Sequence, residues 1–262
     1  MNAKYLLILF AAISVWLLAA CKKDQDKEPV PDKTKITEAV SSGGLKVTLW
    51  ADRPQLTVGY NPVYITLSDA SGEVRNKAVT LYPEMDMHTM QHSSPAEQPV
   101  YDASQGVYAG AVVFTMPSGE MGTWKLTVDA EGQAVDLEVV VADAPANTKL
   151  VGTYVGSDDE RYTISLVQPQ TPRTGMNDLE ILINRRADMH HFPAVSDLSI
   201  EFRPEMPSMM HGSPNNVAPV PVGNGRYRGK VNFTMTGDWR LFFTLKRNGE
   251  TVVEDAYLDI LF

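Results

Sequence analysis

The 262 residues contain a single cysteine, Cys21. That scarcity excludes a disulfide framework, a thiolate metal cluster and a cysteine nucleophile from the body of the chain, so any soft-metal chemistry there has to rest on thioethers. A basic surface is also missing. Against 32 Asp and Glu stand 23 Lys and Arg, and the acids are scattered, which argues against nucleic acid or anionic lipid headgroups as the main partner. There is no HExxH, no GxSxG, no P-loop, no dinucleotide fingerprint and no cysteine for a blue-copper centre, so the chain reads as a binding protein and not as an enzyme. No amphipathic helical window of convincing length appears, and the 17 prolines break any long helix.

The long apolar run, Tyr5 to Ala20, is preceded by Lys4 and is too short and too close to the terminus for an ordinary membrane span. It reads as a secretory signal over residues 1–20. Its end, Leu18-Ala19-Ala20-Cys21, resembles the bacterial lipobox, in which small residues precede a cysteine that takes a diacylglyceryl thioether. Cys21 is therefore the expected lipidation site and the membrane anchor. Residues 21–41 open with "CKKDQDKEPVPDKTK", charged, Pro-containing and poor in large apolar groups, and are expected to form a flexible tether. Losing residues 1–20 removes one charged side chain, Lys4, and takes the formal charge from −9 to −10. The expected location is the envelope of a Gram-negative bacterium, in the outer membrane, on its periplasmic or its external side.

Beyond the tether the chain repeats itself. "TVGYNPVYITLSD" (Thr57 to Asp69) aligns with "RTGMNDLEILINR" (Arg173 to Arg185), matching Gly59 to Gly175 and Asn61 to Asn177. Pro-Glu-Met recurs at Pro83 and Pro204, and Ser-Pro at Ser94 and Ser213. "GVYAGAVVFTM" (Gly106 to Met116) then matches "GRYRGKVNFTM" (Gly225 to Met235), each followed by Gly-x-Trp at Trp124 and Trp239. The dominant period is two: Val63, Ile65 and Leu67 alternate with Tyr64, Thr66 and Ser68. "DASGE" and "RNGE" signal turns. The expected fold is all-β, two immunoglobulin-like antiparallel sandwiches in tandem over residues 42–143 and 148–262, joined by the exposed linker 144–147. Each unit carries its own strand set, so the two are expected to fold separately with few contacts across the linker. Met116 and Met235 continue the faces of Phe114 and Phe233 and are expected in the core, with Trp124 and Trp239 as packing groups.

Two segments carry the chemistry. "LYPEMDMHTMQHSSP" (Leu81 to Pro95) holds Met85, Met87, His88, Met90 and His92, and "FRPEMPSMMHGSP" (Phe202 to Pro214) holds Met206, Met209, Met210 and His211. The first is expected to be strand-poor. In an extended chain Met85 and Met87 would face one way and His88, Met90 and His92 the other, unless a turn gathers both sets. His190 and His191, in "DMHHF", precede the second segment and are expected to assist it. Thioethers with imidazole and no thiolate suit Cu(I) or Ag(I), and with more nitrogen Cu(II), whereas zinc favours histidine, cysteine and carboxylate. The competing reading is that the methionines pack one end of each sandwich or form a compliant protein-binding surface.

At these residues the chain resembles the YtkA-like, or FixH-like, domain family of small extracytoplasmic β-sandwiches. The pattern runs through Gly59, Asn61, Leu67, Asp69, Pro83, Met85, Met87, His88, Gly106, Tyr108, Gly110, Met116 and Trp124. The second unit departs from it, with Arg185 in place of the strand-end Asp, the inserted "DMHHF" and the altered "PEMPSMMH". The resemblance implies copper handling in the bacterial envelope, near metal-efflux or oxidase-assembly proteins, and implies no established reaction. The expected function is thus a membrane-anchored lipoprotein that binds a copper ion or silver for buffering or transfer. The alternative is a non-catalytic interaction or structural surface lipoprotein.

Overall fold

The computed structural model describes Val30 and residues 32–262. The expected signal segment, Cys21 and residues 22–29 and 31 of the expected tether lie outside the described residues. The tether reading of residues 21–41 fails at its end, because β1 (Thr34–Val40) is a strand paired antiparallel with β2 (Lys46–Ala51). Two apolar side chains, Ile36 and Ala39, pack on the core from this segment. A bulge between Lys35 and Thr37 adjusts the register. Glu38 takes Lys35 at 2.7 Å and Lys46 at 2.8 Å, so the charges that suggested disorder are paired along the hairpin.

The first sandwich continues with β3 (Leu56–Thr57), β4 (Gly59–Asp69), β5 (Gly72–Val74), β6 (Val79–Asp86), β7 (Gln91–Ser93), β8 (Ala96–Asp102), β9 (Val107–Phe114), β10 (Thr123–Ala130), β11 (Gln133–Val139) and β12 (Val141–Ala142). One sheet has the order β1-β2-β4-β9-β8, with β5 on β4, and the other β11-β10-β6-β7. The second sandwich comprises β13 (Val151–Val155), β14 (Arg161–Gln168), β15 (Gly175–Arg185), β16 (Ser199–Met206), β17 (His211–Gly212), β18 (Val217–Gly223), β19 (Arg226–Phe233), β20 (Asp238–Arg247) and β21 (Glu250–Leu261). Its sheets run β13-β14-β15-β19-β18 and β17-β16-β20-β21. The strand order is the same position by position, and the chain is two tandem antiparallel β-sandwiches of immunoglobulin-like form.

The repeated sequence elements are mostly architectural. Asn61 is buried with its amide closed on the chain, accepting from Thr57 N at 3.0 Å and donating to Thr57 O and Gly59 O at 2.7 and 2.9 Å. Asn177 repeats this with Arg173 N, Arg173 O and Gly175 O at 3.0, 2.7 and 2.8 Å. The Tyr108 and Tyr227 hydroxyls, on fully buried rings, accept from Lys77 N and Leu198 N at 2.8 and 3.2 Å. Gly110 and Gly229 let an edge strand approach: a Cβ on Gly110 would sit 2.8 Å from Glu97 O, and one on Gly229 would strike Val217 O. These motifs therefore mark a repeated sandwich frame, in which buried polar atoms find partners along the chain.

Each sandwich has its own core, with Trp124, Leu126, Leu49 and Ile65 in the first and Trp239, Leu241, Ile181 and Phe243 in the second. The expectation of few contacts between them does not hold. A shared apolar cluster joins Val113 and Tyr60 of the first to Val151, Val167 and Leu182 of the second. Beside it, Arg226 donates to both Glu97 oxygens at 2.7 and 2.6 Å and to the Tyr60 hydroxyl at 2.6 Å, and also pairs with Glu180. Burial first, and the bond to Glu97 second, push the Tyr60 phenol far above its ordinary range. For Arg226 burial acts downward, yet the bonds to Glu97 and Glu180 outweigh it and hold the guanidinium above its usual value.

Candidate metal site

The Leu81–Pro95 segment is a hairpin, not a strand-poor loop. Val79, Leu81, Pro83 and Met85 alternate inward on β6, and Pro83 fits because its carbonyl is the group used, accepting from Ser93 Oγ at 2.6 Å. At the tip Met87 N donates to Met90 O at 3.0 Å and Thr89 N to Met87 O at 2.7 Å. His88 closes the turn in the left-handed region at φ 66°, its N–H on Asp86 Oδ1 at 2.8 Å.

The reversal overturns the two-sided arrangement expected of an extended chain. His92 returns directly opposite Met85, and Trp124 lies opposite Met85 on the other flank. Cross-strand partners share a face, so histidine, methionine and tryptophan form one row across β7, β6 and β10. The His92 and Trp124 rings meet edge to face, with centroids 5.7 Å apart at 89°. Met85 is 0% exposed and part of the core. His92 is half-buried, and its Nδ1 lies 3.0 Å from Ser93 O. A carbonyl only accepts, so Nδ1 carries the proton of the neutral ring and Nε2 keeps the lone pair.

The second sandwich builds the same row from a shorter turn. Met206, 2% exposed, pairs with His211, and the His211 and Trp239 rings meet at 5.9 Å and 83°. Trp124 and Trp239 each donate their indole N–H to a backbone carbonyl at 2.9 Å, that of Met116 and of Met235 respectively. Phe114 and Phe233 back the indoles at 5.1 and 5.3 Å. Met235 is 42% exposed and Met116 only half-buried, against the expectation that both fill the core. The strands end at Phe114 and Phe233, so the alternation that predicted burial stops two residues before the methionines.

The other expected ligands are dispersed. Met87 packs partly against the first core, while His88 is exposed at the tip. Met90, Met209 and Met210 are 48%, 57% and 92% exposed. His190 and His191 do not assist the second segment. The turn that carries them lies on the first sandwich, with His190 Nδ1 2.6 Å from the Tyr82 hydroxyl and Met189 O accepting from Ser93 N at 2.8 Å. His191 Nδ1 is held by Asp188 at 2.7 Å. The backbone N–H of His190, and after it the His191 ring, draw the Asp188 carboxyl down to about 2. Trp124 and Trp239 are walls of the row as well as packing groups. The repeated Gly-x-Trp was the signal for that role.

Among the described residues no three His, Cys, Asp or Glu side chains converge as a metal-binding group. Each row instead places one imidazole, one thioether and an indole together, donor types that are soft and weakly polar, beside an aromatic surface of the kind used in cation–π contact.

A family model described as YtkA-like matches residues 157–244, which lie in the second sandwich. The family resemblance read mainly from the first unit is thus supported by a match on the unit that departs more from the pattern. No curated protein matches the chain. Similar solved structures include invasin, a bacterial integrin-binding protein, at 11% identity and TM-score 0.26, covering 83% of this chain and 39% of that one. Domains 4–9 of the surface layer protein SbsC align at 12% identity and TM-score 0.29, covering 90% of this chain and 40% of theirs. Titin Ig tandem domains align at 9% identity and TM-score 0.21, covering 87% and 97%. The chain spans about two fifths of the length of the first two.

Proposed function

We propose that this chain is a copper-handling lipoprotein of the cell envelope, anchored through lipid at Cys21, with one soft-metal row in each sandwich. The observation that supports this best is the doubled row itself, Met85–His92–Trp124 and Met206–His211–Trp239, built on hairpins of different length. His92 has the arrangement that metal-binding histidines use, one ring nitrogen tied to a carbonyl and the other free. Cu(I) is the preferred ion, with Ag(I) its chemical mimic, because thioether and imidazole without thiolate bind such ions firmly enough to capture and loosely enough to pass on. The exposed methionines Met90, Met209 and Met210 flank the rows as a route for ligand exchange with a partner. That partner is a metal exporter or an oxidase-assembly protein, and the chain itself performs no reaction.

The test is titration of the full chain in detergent with Cu(I) against a competing chromophoric chelator. Two equivalents are expected, with quenching of Trp124 and Trp239 fluorescence. The absence of any uptake would leave the competing reading, an interaction surface, which Met210 at 92% exposure favours.

A further inference from the structure

We infer that the Asp188–Phe192 turn of the second sandwich is a clasp that positions His92 in the first, so that Cu(I) affinity at the first row depends on the docking of the two sandwiches. The inference rests on the copper reading of the rows and adds a control that only one of them has. β7, the strand that carries His92, has just three residues and lies at the edge of its sheet. An edge segment of that length has few bonds of its own to keep it from fraying. Its inner side is held by β6, partly through Ser93 Oγ on Pro83 O at 2.6 Å. Its outer side is held from the other sandwich, since Ser93 N donates to Met189 O at 2.8 Å.

The same residue then fixes the ligand. Ser93 O holds His92 Nδ1 at 3.0 Å, so the link from Met189 to Ser93 to the imidazole is continuous. Tyr82, three positions before Met85 on the same strand, anchors the clasp through His190 at 2.6 Å, and the two rings lie 6.3 Å apart. Asp188 keeps the turn closed by accepting from His190 N and His191 N at 2.7 and 2.9 Å. His190 is therefore a positioning residue, engaged by a phenol, and not a ligand of the second row. β17, the counterpart of β7, receives no hydrogen bond from the first sandwich among the described residues. Its row is free of this control.

The experiment reads one row at a time in the full chain in detergent. Met206→Leu with His211→Ala silences the second row, and Met85→Leu with His92→Ala silences the first. In the background that leaves the first row, Tyr82→Phe and His190→Ala, made singly, are each expected to weaken Cu(I) binding by about 10- to 100-fold, the range for disturbing the outer support of a metal-bound histidine. His190→Gln with Tyr82 intact, which keeps a group able to bond the phenol, is expected to retain most of the affinity that His190→Ala loses. In the opposite background the same substitutions should change nothing. Thermal unfolding of each metal-free variant, and replacement of residues 188–191 by four glycines as a second clasp variant, separate loss of positioning from loss of fold.

Equal affinity with and without the clasp overturns the inference and leaves the copper reading standing. A loss from His190→Ala that Tyr82→Phe does not share also overturns it, by making His190 a ligand. A parent chain that takes up no Cu(I) overturns the copper reading and the clasp with it.

Discussion

The two hairpins place the same three residues in the same relation by different means. In the first, the chain returns from Met85 to His92 through a tip containing Met87, His88 and Met90; in the second it returns from Met206 to His211 with two fewer residues. The first turn is closed by Asp86 from within, whereas the second is tied to the neighbouring strand, Ser208 N donating to Asp238 Oδ2 at 3.1 Å. What stays constant is the cross-strand register that faces methionine with histidine. Register decides which side chains share a face, while loop length beyond the last pair is free to vary. Shared chemistry therefore resides in the row, and the tip residues, though denser in methionine and histidine, differ between the copies.

The largest effect that would break this equivalence is removal of the indole. Trp124→Ala and Trp239→Ala each empty a site that is 1% exposed, and each is expected to cost about 3–5 kcal/mol. Denaturant unfolding should show both losses at similar size. A mild effect at one position alone would mean that only one row is a packed structural unit.

A smaller and deliberately unequal effect is expected at the glycines that cover the methionines. Gly122 and Gly237 stand at φ 151° and 141°, where L side chains are strained. A Cβ at Gly122 would collide with the backbone oxygen of Asp86, whereas at Gly237 the nearest atom is the flexible Met206 methyl at 2.8 Å. Gly122→Ala should therefore cost about 2–3 kcal/mol and Gly237→Ala about 1 kcal/mol less, within the range for strain and overpacking. Equal melting temperatures for the two variants would show that the first hairpin yields as easily as the second.

Much of this was open to reading from the sequence. The alternation in "NPVYITLSD" and "GRYRGKVNFTM" gave the strands, and the ordered repetition gave two sandwiches of one topology. Even the inward course of Met85 and Met206 was legible, as the last apolar positions of Val79-Leu81-Pro83 and Ile200-Phe202-Pro204, but the prolines suggested broken structure instead. The face of His92 was not legible, because it depends on where within the tip the chain reverses. Nor was the placement of His190, which follows from how Val113, Val151 and Leu182 seat one sandwich on the other. Side-chain pairing also hid β1, since a lysine-rich segment looks disordered until Glu38 is seen between Lys35 of that segment and Lys46 of β2.

Separating ligand from packing group calls for a substitution that keeps volume. Met85→Leu and Met206→Leu replace a buried thioether by a similar hydrocarbon and should each cost less than about 1.5 kcal/mol. Each should nevertheless remove one equivalent of Cu(I), because leucine has no donor atom. Metal counting together with unfolding decides the matter: a full metal count with an unchanged fold would assign both methionines to packing alone and move the donors to the exposed Met90, Met209 and Met210.

The smallest effect concerns the clasp, the feature that most sets the first hairpin apart. The Asp188 carboxyl titrates at about 2 instead of 3.8, owing first to the backbone N–H of His190 and then to the His191 ring. For an acid whose folded value is depressed, the contribution is complete above the unfolded value and is lost as pH falls through the folded one. The turn should thus hold from neutral pH down to about 4 and loosen between there and about 2. Asp188 is exposed, so the consequence is local and global stability should barely respond. Carboxyl NMR titration should place the midpoint near 2 in the parent chain. His191→Ala should raise it only in part, because the His190 N–H at 2.7 Å remains. A parent midpoint at the ordinary carboxylate value would show the turn open in solution, and the difference between the two hairpins would then reduce to the length of their tips.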